Sequence, residues 1–204
     1  MTNKALAGLI LCGGESRRMG SAKALMEVAG EPLIVRVARR LSAVADPVLL
    51  APASPGRFGD LGFAEVEDVR SGAGPLGGLV AGLVASPHLL LAAVAVDMPF
   101  ASAEVFRLLA DRHTNEDAVA PRTATGLEPL HAVYSRTALP AFREALDAGR
   151  FGLREALAGI RVREVTESEW RAADPTGRFA LNVNRPEDLS LLDQAPTSRP
   201  GPSI

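Results

Sequence analysis

The fold of this chain is decided near its start, where residues 5–14 read Ala5-Leu6-Ala7-Gly8-Leu9-Ile10-Leu11-Cys12-Gly13-Gly14. No charged side chain interrupts the run before its closing glycines. A short, continuous apolar run bounded by glycine is typical of a parallel strand that is buried on both faces. We therefore predict that residues 5–11 form a central strand and that a ligand-binding loop begins where this strand ends.

Apolar runs and helical patterns alternate along the rest of the chain. Leu33, Val37 and Leu41 recur at four-residue spacing, which predicts an amphipathic helix over residues 32–44. Such alternation indicates right-handed crossovers and an α/β fold with a three-layer, mostly parallel, doubly wound, Rossmann-like sheet. The later predicted strands cover residues 48–50, 64–66, 89–96, 118–120, 130–134 and 161–165, with turns at 71–78 and 122–126. The later predicted helices cover residues 79–85, 102–111 with Ser102 as the cap, 139–148 and 153–158, and a last one begins at Pro186. Residues 74–78 can belong to the preceding turn or open the helix over 79–85.

Length and composition limit the class of protein. The chain has 204 residues, of which 47% are hydrophobic, so residues 1–193 are expected to form a single domain. Residues 194–204, rich in Pro and Ser, are expected to be a disordered tail. A formal net charge of −2 argues against a nucleic-acid-binding protein. The single cysteine excludes an internal disulfide, and the first apolar run is too short to cross a bilayer. We expect a cytoplasmic protein that binds neither nucleic acid nor a membrane.

The loop after the first strand combines backbone donors with fixed positive charge. Its glycines let the main chain approach a ligand closely, and Arg17, Arg18 and Lys23 supply cations. This combination predicts a triphosphate-binding loop. The spacing differs from both the P-loop and the dinucleotide fingerprint, and a surface turn with solvated arginines is the competing interpretation. The loop reads Leu11-Cys12-Gly13-Gly14-Glu15-Ser16-Arg17-Arg18-Met19-Gly20-Ser21-Ala22-Lys23.

Carboxylates follow two of the predicted strands. Asp97 ends the most apolar strand, and Mg²⁺ bound to a nucleotide usually takes one or two carboxylates together with phosphate oxygens and water. Asp97 is therefore the predicted metal ligand, although it could simply start a helix ahead of Pro99. Asp68 precedes the glycine-rich turn, where an Asp turn is the alternative to a ligand contact. Asn182 and Asn184 alternate, so both side chains face one way on an extended segment unless they form an Asx turn before Pro186.

The loop resembles the opening signature of the molybdenum cofactor guanylyltransferases, the MobA family, within the nucleotidyltransferase superfamily. The resemblance runs in order from about residue 5 to residue 189, nearly the whole chain. The first motif alone indicates only nucleotide transfer. The later motifs together with it make the resemblance to the guanylyltransferases much more specific. Those later motifs are Asp68, Gly74-Pro75-Leu76-Gly77-Gly78-Leu79, Asp97-Met98-Pro99, Pro129-Leu130-His131-Ala132-Val133-Tyr134 and Asn182-Val183-Asn184-Arg185-Pro186-Glu187-Asp188-Leu189.

The resemblance implies a Mg²⁺-dependent transfer of GMP from GTP to molybdopterin, which already carries molybdenum in the expected reaction. The products would be molybdopterin guanine dinucleotide and pyrophosphate. Candidate protein partners are those that deliver molybdopterin or mature molybdoenzymes. The implied catalytic residues are Arg17, Lys23 and Asp97. The implied nucleotide-binding residues are Leu11, Cys12, Gly13, Gly14, Lys23, Asp68 and Asp97, and the candidate acceptor or phosphate contacts are Gly74, Gly77, Asn182 and Asn184.

The chain departs from the family pattern at several positions. Cys12, Ala22 and Val96 replace the common Ala, Asp and Cys, and these changes leave the chemistry untouched. Ala51-Pro52-Ala53 stands where relatives often carry an Asn that contacts the nucleotide. A transferase that uses CTP or a sugar-phosphate acceptor, and a non-catalytic nucleotide-binding module, therefore stay open as alternatives. The sequence does not assign a role to His131 or Trp170.

Overall fold

The computed structural model describes residues 4–13, 23–28, 30–52, 54, 56–67, 69–70, 72–183 and 188. The strands are β1 (Leu6–Leu11), β2 (Glu27–Val28), β3 (Glu31–Pro32), β4 (Val48–Ala51), β5 (Ala64–Glu65), β6 (Leu90–Ala95), β7 (Ala118–Thr123), β8 (Gly126–Leu127), β9 (His131–Ser135) and β10 (Val162–Val165). The helices are α1 (Leu33–Leu41), α2 (Gly74–Ala85), α3 (Ala103–Arg112), α4 (Leu139–Asp147), α5 (Leu153–Leu157) and α6 (Glu167–Trp170).

A single mixed sheet organises these elements in the order β10-β7-β9-β6-β1-β4-β5, and β8 extends it beside β7. The strands β6, β1, β4 and β5 run parallel to one another, as do β10 and β7. Strand β9 runs antiparallel to both of its neighbours. A parallel return needs a crossover of a dozen or more residues, and the short link between β7 and β9 forms the β8 hairpin instead. The predicted mostly parallel, doubly wound sheet is confirmed.

Strand β1 lies at the centre and is buried along its whole length. Its side chains alternate between two cores, as the two-residue repeat of a strand requires. Leu6 and Ile10 pack in the core that contains α1 and α3. Leu9 and Leu11 pack in the core that contains α2, α4 and α5. Strand β6 is buried in the same way, so the two central strands are shielded from water on both faces.

Helix α2 decides between two interpretations of the glycine-rich segment 71–78. The helix starts at Gly74, so residues 74–78 open the helix and do not belong to a turn that precedes it. Pro75 stands in its first turn, where the missing N–H costs nothing. The helix is apolar on nearly all sides, and its packing against β1, β4 and α4 offsets the low helix propensity of its glycines. A Cβ on Gly82 would lie 2.6 Å from Leu9 Cδ2, so glycine is what allows the helix to sit this close to the sheet.

Two further differences come from pairing that a single strand pattern does not reveal. The predicted turn at 122–126 is shorter in the structure, because β7 continues to Thr123 and pairs with β8. The hairpin of β2 and β3, with Gly30 in a left-handed conformation, was not predicted at all. The remaining predicted strands and helices are present with shifted ends, and Ser102 caps α3 through a 3.3 Å hydrogen bond from the Val105 N–H.

Part of the predicted organisation lies outside the described residues. This holds for the helix expected from Pro186 and for the tail over residues 194–204. Among the helices that the structure describes, none combines the length and the apolar character needed to cross a bilayer.

Gly8, in the middle of β1, provides a test of the close packing between sheet and helix. A Cβ at this position would lie 2.7 Å from Leu41 Cδ2 and 3.1 Å from Val48 Cγ2. We expect Gly8→Ala to lower the free energy of unfolding by about 1–3 kcal/mol, because it overpacks a filled core. Chemical denaturation measures this change. Gly59→Ala is the matched control, since no described atom lies within 4 Å of its Cβ position, and a comparable loss there would contradict the packing argument.

Candidate active site

The site forms where β1 and β6 end, at the edge of the sheet that contains the carboxyl ends of the parallel strands. We call this edge the rim. Hydrogen bonds extend the pairing just beyond both strands. The Cys12 N–H donates to Ala51 O at 3.1 Å, and the Val96 N–H donates to Leu11 O at 3.1 Å. Gly13 and Asp97 are therefore the residues that leave the sheet side by side, and both are half-buried. The predicted start of the ligand-binding loop is thus adjacent to the predicted metal ligand.

Lys23 and Asp97 meet at this edge. Lys23 Nζ lies 3.0 Å from Asp97 Oδ2, although 74 residues separate them along the chain. The side chains keep 19% and 24% of their surface exposed, so the pair is sheltered yet accessible. Charged hydrogen bonds of this length are among the stronger polar contacts in proteins. The structure therefore brings together two of the charged residues that the sequence singled out, Lys23 and Asp97.

A third segment closes on the same aspartate. The Val183 N–H donates to the main-chain oxygen of Asp97 at 2.8 Å, and the Val183 side chain is fully buried. This bond places Asn182, which is exposed, next to the end of β6. Its predicted partner in the motif, Asn184, lies outside the described residues. One of the two asparagines is thus shown at the rim.

His131 holds the segments behind the rim together. Its ring stacks on Phe106 with 3.9 Å between centroids and packs against Phe179 at 4.8 Å. Its Nε2 accepts the Ser102 N–H at 3.0 Å, which assigns the ring proton to Nδ1. Complete burial lowers the pKa of His131 to about 3, so the ring is neutral at ordinary pH. The histidine links the turn after Asp97 to the segment that leads to Asn182, a packing role.

Trp170 has a packing role as well. It is 4% exposed, donates from Nε1 to Arg122 O at 3.0 Å, and meets Phe179 edge to face at 5.1 Å. The sequence left open whether this tryptophan packs against the fold or contacts an acceptor. In the structure Trp170 packs against Phe179 and so helps to position the segment that leads to Asn182.

Glu128 is a rim residue that the sequence did not single out. Its Oε1 accepts the Leu130 N–H at 3.0 Å, and Leu130 O accepts the Ala95 N–H at 3.0 Å, so Glu128 is tied to the end of β6. Burial raises the pKa of this carboxyl group, and the charge of Asp97 raises it further. The signal that could have revealed it is its position just before a buried strand that pairs with the strand ending at Asp97.

Known proteins are similar to this chain over most of its length. The chain matches the MobA-like NTP transferase domain over residues 8–166. A probable molybdenum cofactor guanylyltransferase from Pelotomaculum thermopropionicum is 37% identical over 182 residues, which cover 89% of this chain and 89% of the relative. The chain belongs to the MobA-like NTP transferase family.

Two further relatives agree in length and fold. A molybdenum cofactor guanylyltransferase from Desulfosudis oleivorans is 32% identical over 94% of this chain and 96% of its own. The crystal structure of molybdopterin-guanine dinucleotide biosynthesis protein A from Archaeoglobus fulgidus has a TM-score of 0.79 and 25% identity, covering 91% of this chain and 95% of that one. The family resemblance noted in the sequence is confirmed, and the chain is a nucleotidyltransferase of the molybdenum cofactor guanylyltransferase type.

The other predicted site residues are of two kinds, those that the structure describes and those that lie outside its described part. Gly74 is exposed at the start of α2, whereas Gly77 is buried and its N–H already donates to Ala73 O at 3.4 Å. Leu11 and Cys12 are buried at the end of β1. The predicted residues Gly14, Arg17, Asp68 and Asn184 lie outside the described part of the chain.

Cys12 lies next to the loop of the MobA-like domain but has no nucleophilic character. The thiol is buried, and burial is the largest cause that raises its pKa to about 12. A thiol of this kind stays protonated at neutral pH and does not attack phosphorus. The site therefore works without a covalent cysteine intermediate.

The carboxylate at this rim fits a metal ion that binds together with a nucleotide. Among the described residues there is no group of three or more His, Cys, Asp or Glu side chains that could hold a metal ion. A dedicated protein cage would need such a group. Mg²⁺ on a nucleotide needs only one or two carboxylates, and the accessible carboxylate of Asp97 at the strand end meets that requirement.

The buried, neutral His131 predicts a pH dependence of stability. Its folded-state pKa of about 3 lies below the ordinary 6.5. The unfolded chain therefore binds a proton that the folded chain excludes, so stability is complete above pH 6.5 and falls as the pH drops below it. The slope approaches about 1.4 kcal/mol per pH unit. Glu116 and Asp117, whose pKa values are lowered to about 2, act in the same direction only at lower pH.

We expect His131→Gln to flatten this slope between pH 6.5 and pH 5. The glutamine amide can still accept the Ser102 N–H, but it does not titrate. Urea unfolding at several pH values, compared with the parent chain, gives the two slopes. Parallel slopes would contradict the assignment of a neutral buried imidazole, whatever the absolute stability of the variant.

Proposed function

We propose that this chain transfers GMP from GTP to molybdopterin, producing molybdopterin guanine dinucleotide and pyrophosphate. The names of the full-length relatives support this reaction. The observation that carries it is the 3.0 Å ion pair of Lys23 and Asp97 beside the first residues of the glycine-containing loop. A cation and an exposed carboxylate at one strand end are what a site for a metal-bound polyphosphate needs.

The reaction joins two anions, so the protein's main task is to position them and neutralise charge. The terminal phosphate of the acceptor attacks the α-phosphorus of GTP, and the bond to pyrophosphate breaks on the opposite side. Holding both reactants in line replaces a collision by an intramolecular step. Lys23 stands where it can screen the phosphates, and Arg17 keeps the same predicted role from the loop. Gly13, half-buried where the chain leaves β1, fits the start of the nucleotide contact.

Asp97 is the proposed Mg²⁺ ligand. Asp97 would hold the ion beside the phosphates, where Mg²⁺ would supply positive charge to the polyphosphate. Lys23 keeps the Asp97 carboxylate at the strand end, and the Val183 N–H holds its main chain in place.

We also propose a cytoplasmic location, which suits a chain with one free cysteine. Proteins that deliver molybdopterin or receive the product remain predicted partners.

Nucleotide choice is tested by thermal shift. We expect GTP with Mg²⁺ to raise the unfolding temperature, since a ligand that binds only the folded chain stabilises it by about 2.7 kcal/mol at 100 times its Kd. ATP, CTP and UTP at equal concentration should give smaller shifts, and omission of Mg²⁺ should reduce the GTP shift. A shift confined to CTP would overturn the guanine assignment. No shift with any nucleotide would favour a non-catalytic module.

Loss of either charge at the rim should abolish turnover without unfolding the protein. We expect Lys23→Ala and Asp97→Asn to slow pyrophosphate release with GTP, Mg²⁺ and molybdopterin by about 10²-fold or more. Arg161→Ala is the matched control, because it breaks the 3.2 Å pair with Asp117 at the opposite edge of the sheet, where β7 and β10 begin. Near-normal pyrophosphate release by both rim variants would show that the site has been placed wrongly.

A further inference from the structure

The position of Glu128 follows from the pairing of β6 with β9. Val94 pairs with His131 in antiparallel register, and the Ala95 N–H donates to Leu130 O at 3.0 Å. Both segments turn beyond this bond, and Glu128 stays close enough to Asp97 for their negative charges to interact. Strand β6 is flanked by β1 on its other side. Glu128, just before β9, and Gly13, just after β1, therefore lie on opposite sides of β6.

The carboxylate of Glu128 is held in place before any ligand arrives. The Glu128 N–H donates to Pro121 O at 2.9 Å, and the buried Tyr134 hydroxyl donates to Pro129 O at 2.7 Å. The Leu130 N–H then fixes Oε1 at 3.0 Å. In the described part of the chain, Oε2 accepts no hydrogen bond, and no cation pairs with this carboxylate within ion-pair distance. A fixed carboxylate with one oxygen available is suited to accept N–H donors from a ligand.

The negative charge of the Glu128 carboxylate disfavours a phosphate at this position. Burial raises the pKa of Glu128 first, the negative charge of Asp97 adds to this, and the Leu130 N–H and Arg154 oppose it. A carboxylate in such surroundings repels the phosphates of both substrates. It is compatible with a neutral heterocycle whose ring N–H and amino group point toward it, because charged acceptors make stronger hydrogen bonds than neutral ones.

We propose that Glu128 is a specificity residue of the acceptor site, accepting hydrogen bonds from the 2-amino group and adjacent ring N–H of the acceptor's pterin. This inference rests on the proposed function. Guanine carries the same pair of donors, but the nucleotide belongs to the β1 side, where the glycine-containing loop begins. The acceptor is left with the β9 side, where Glu128 stands.

A pair of probes tests the inference on the unmodified protein. One probe is a pterin with a phosphooxymethyl group at position 6, and the other is the matching lumazine, in which an oxo group replaces the 2-amino group. Fluorescence titration in the presence of GTP and Mg²⁺ gives both affinities. We expect the pterin to bind about 10- to 100-fold more tightly, the range for a hydrogen bond to a charged group. Equal affinities overturn the inference, and this comparison needs no variant.

Glu128→Gln then assigns the effect to this side chain. The amide keeps the shape and one acceptor oxygen but loses the charge, so the pterin should bind it about 10-fold or more weakly, close to the lumazine. With molybdopterin as acceptor, the KM for molybdopterin should rise while the KM for GTP stays within about twofold. Glu155→Gln on α5 is the matched control and should preserve all three values, because this carboxylate is exposed and lies on another element.

Two results separate this inference from its alternatives. A higher KM for GTP, or a weaker Mg²⁺ dependence, in Glu128→Gln would place the carboxylate on the nucleotide or the metal and would overturn the inference. Failure of the unmodified protein to form the dinucleotide from GTP and molybdopterin would overturn the proposed function itself. The first outcome leaves guanylyl transfer intact, so the two failures are distinguishable.

Discussion

The ion pair between Lys23 and Asp97 depends on the pairing of two buried strands. Asp97 stands where it does because β6 is hydrogen-bonded to β1 along its whole length, and the bond from Val96 to Leu11 carries that pairing past the strand ends. Both faces of these strands are covered by helices, so neither strand can shift in register without exposing apolar side chains. The precision of the charged pair at the rim is thus a consequence of the core beneath it.

Three distant segments meet at the end of β6 for the same reason. Lys23 arrives from the loop after β1, Val183 bonds to the main chain of Asp97, and Glu128 approaches along β9. Parallel strands deliver their ends to one edge, and the antiparallel β9 brings the start of its own sequence to that edge. His131, buried between Phe106 and Phe179, ties the second of these segments to the turn that follows Asp97.

The sequence predicted the parts of the site that local pattern encodes, and the reasons are physical. A short, continuous apolar run that ends in glycine or aspartate is typical of a buried strand, so β1, β6 and the position of Asp97 could be predicted. Glu128 was not, because its importance arises from pairing between strands whose antiparallel register no single segment carries. The start of α2 at Gly74 could not be separated from a turn for a similar reason, since glycine is unfavourable in an isolated helix and the close approach of Gly82 to Leu9 appears only in the fold. The roles of Arg17, Asp68 and Asn184 remain sequence predictions, because these residues lie outside the described part of the chain.

The site proposed to join two anionic substrates also contains two carboxylates, Asp97 and Glu128. Their surroundings differ. Asp97 is paired with the cation of Lys23, so its negative charge is compatible with phosphate nearby. Glu128 has no cation at ion-pair distance among the described residues and is half-buried, so its charge is compatible only with donors that carry no negative charge of their own. The cationic part of the rim therefore belongs to the phosphates and the far side of β6 to a heterocycle. On this reasoning the same strand end that brings the two reactants together also keeps their unlike parts on separate sides.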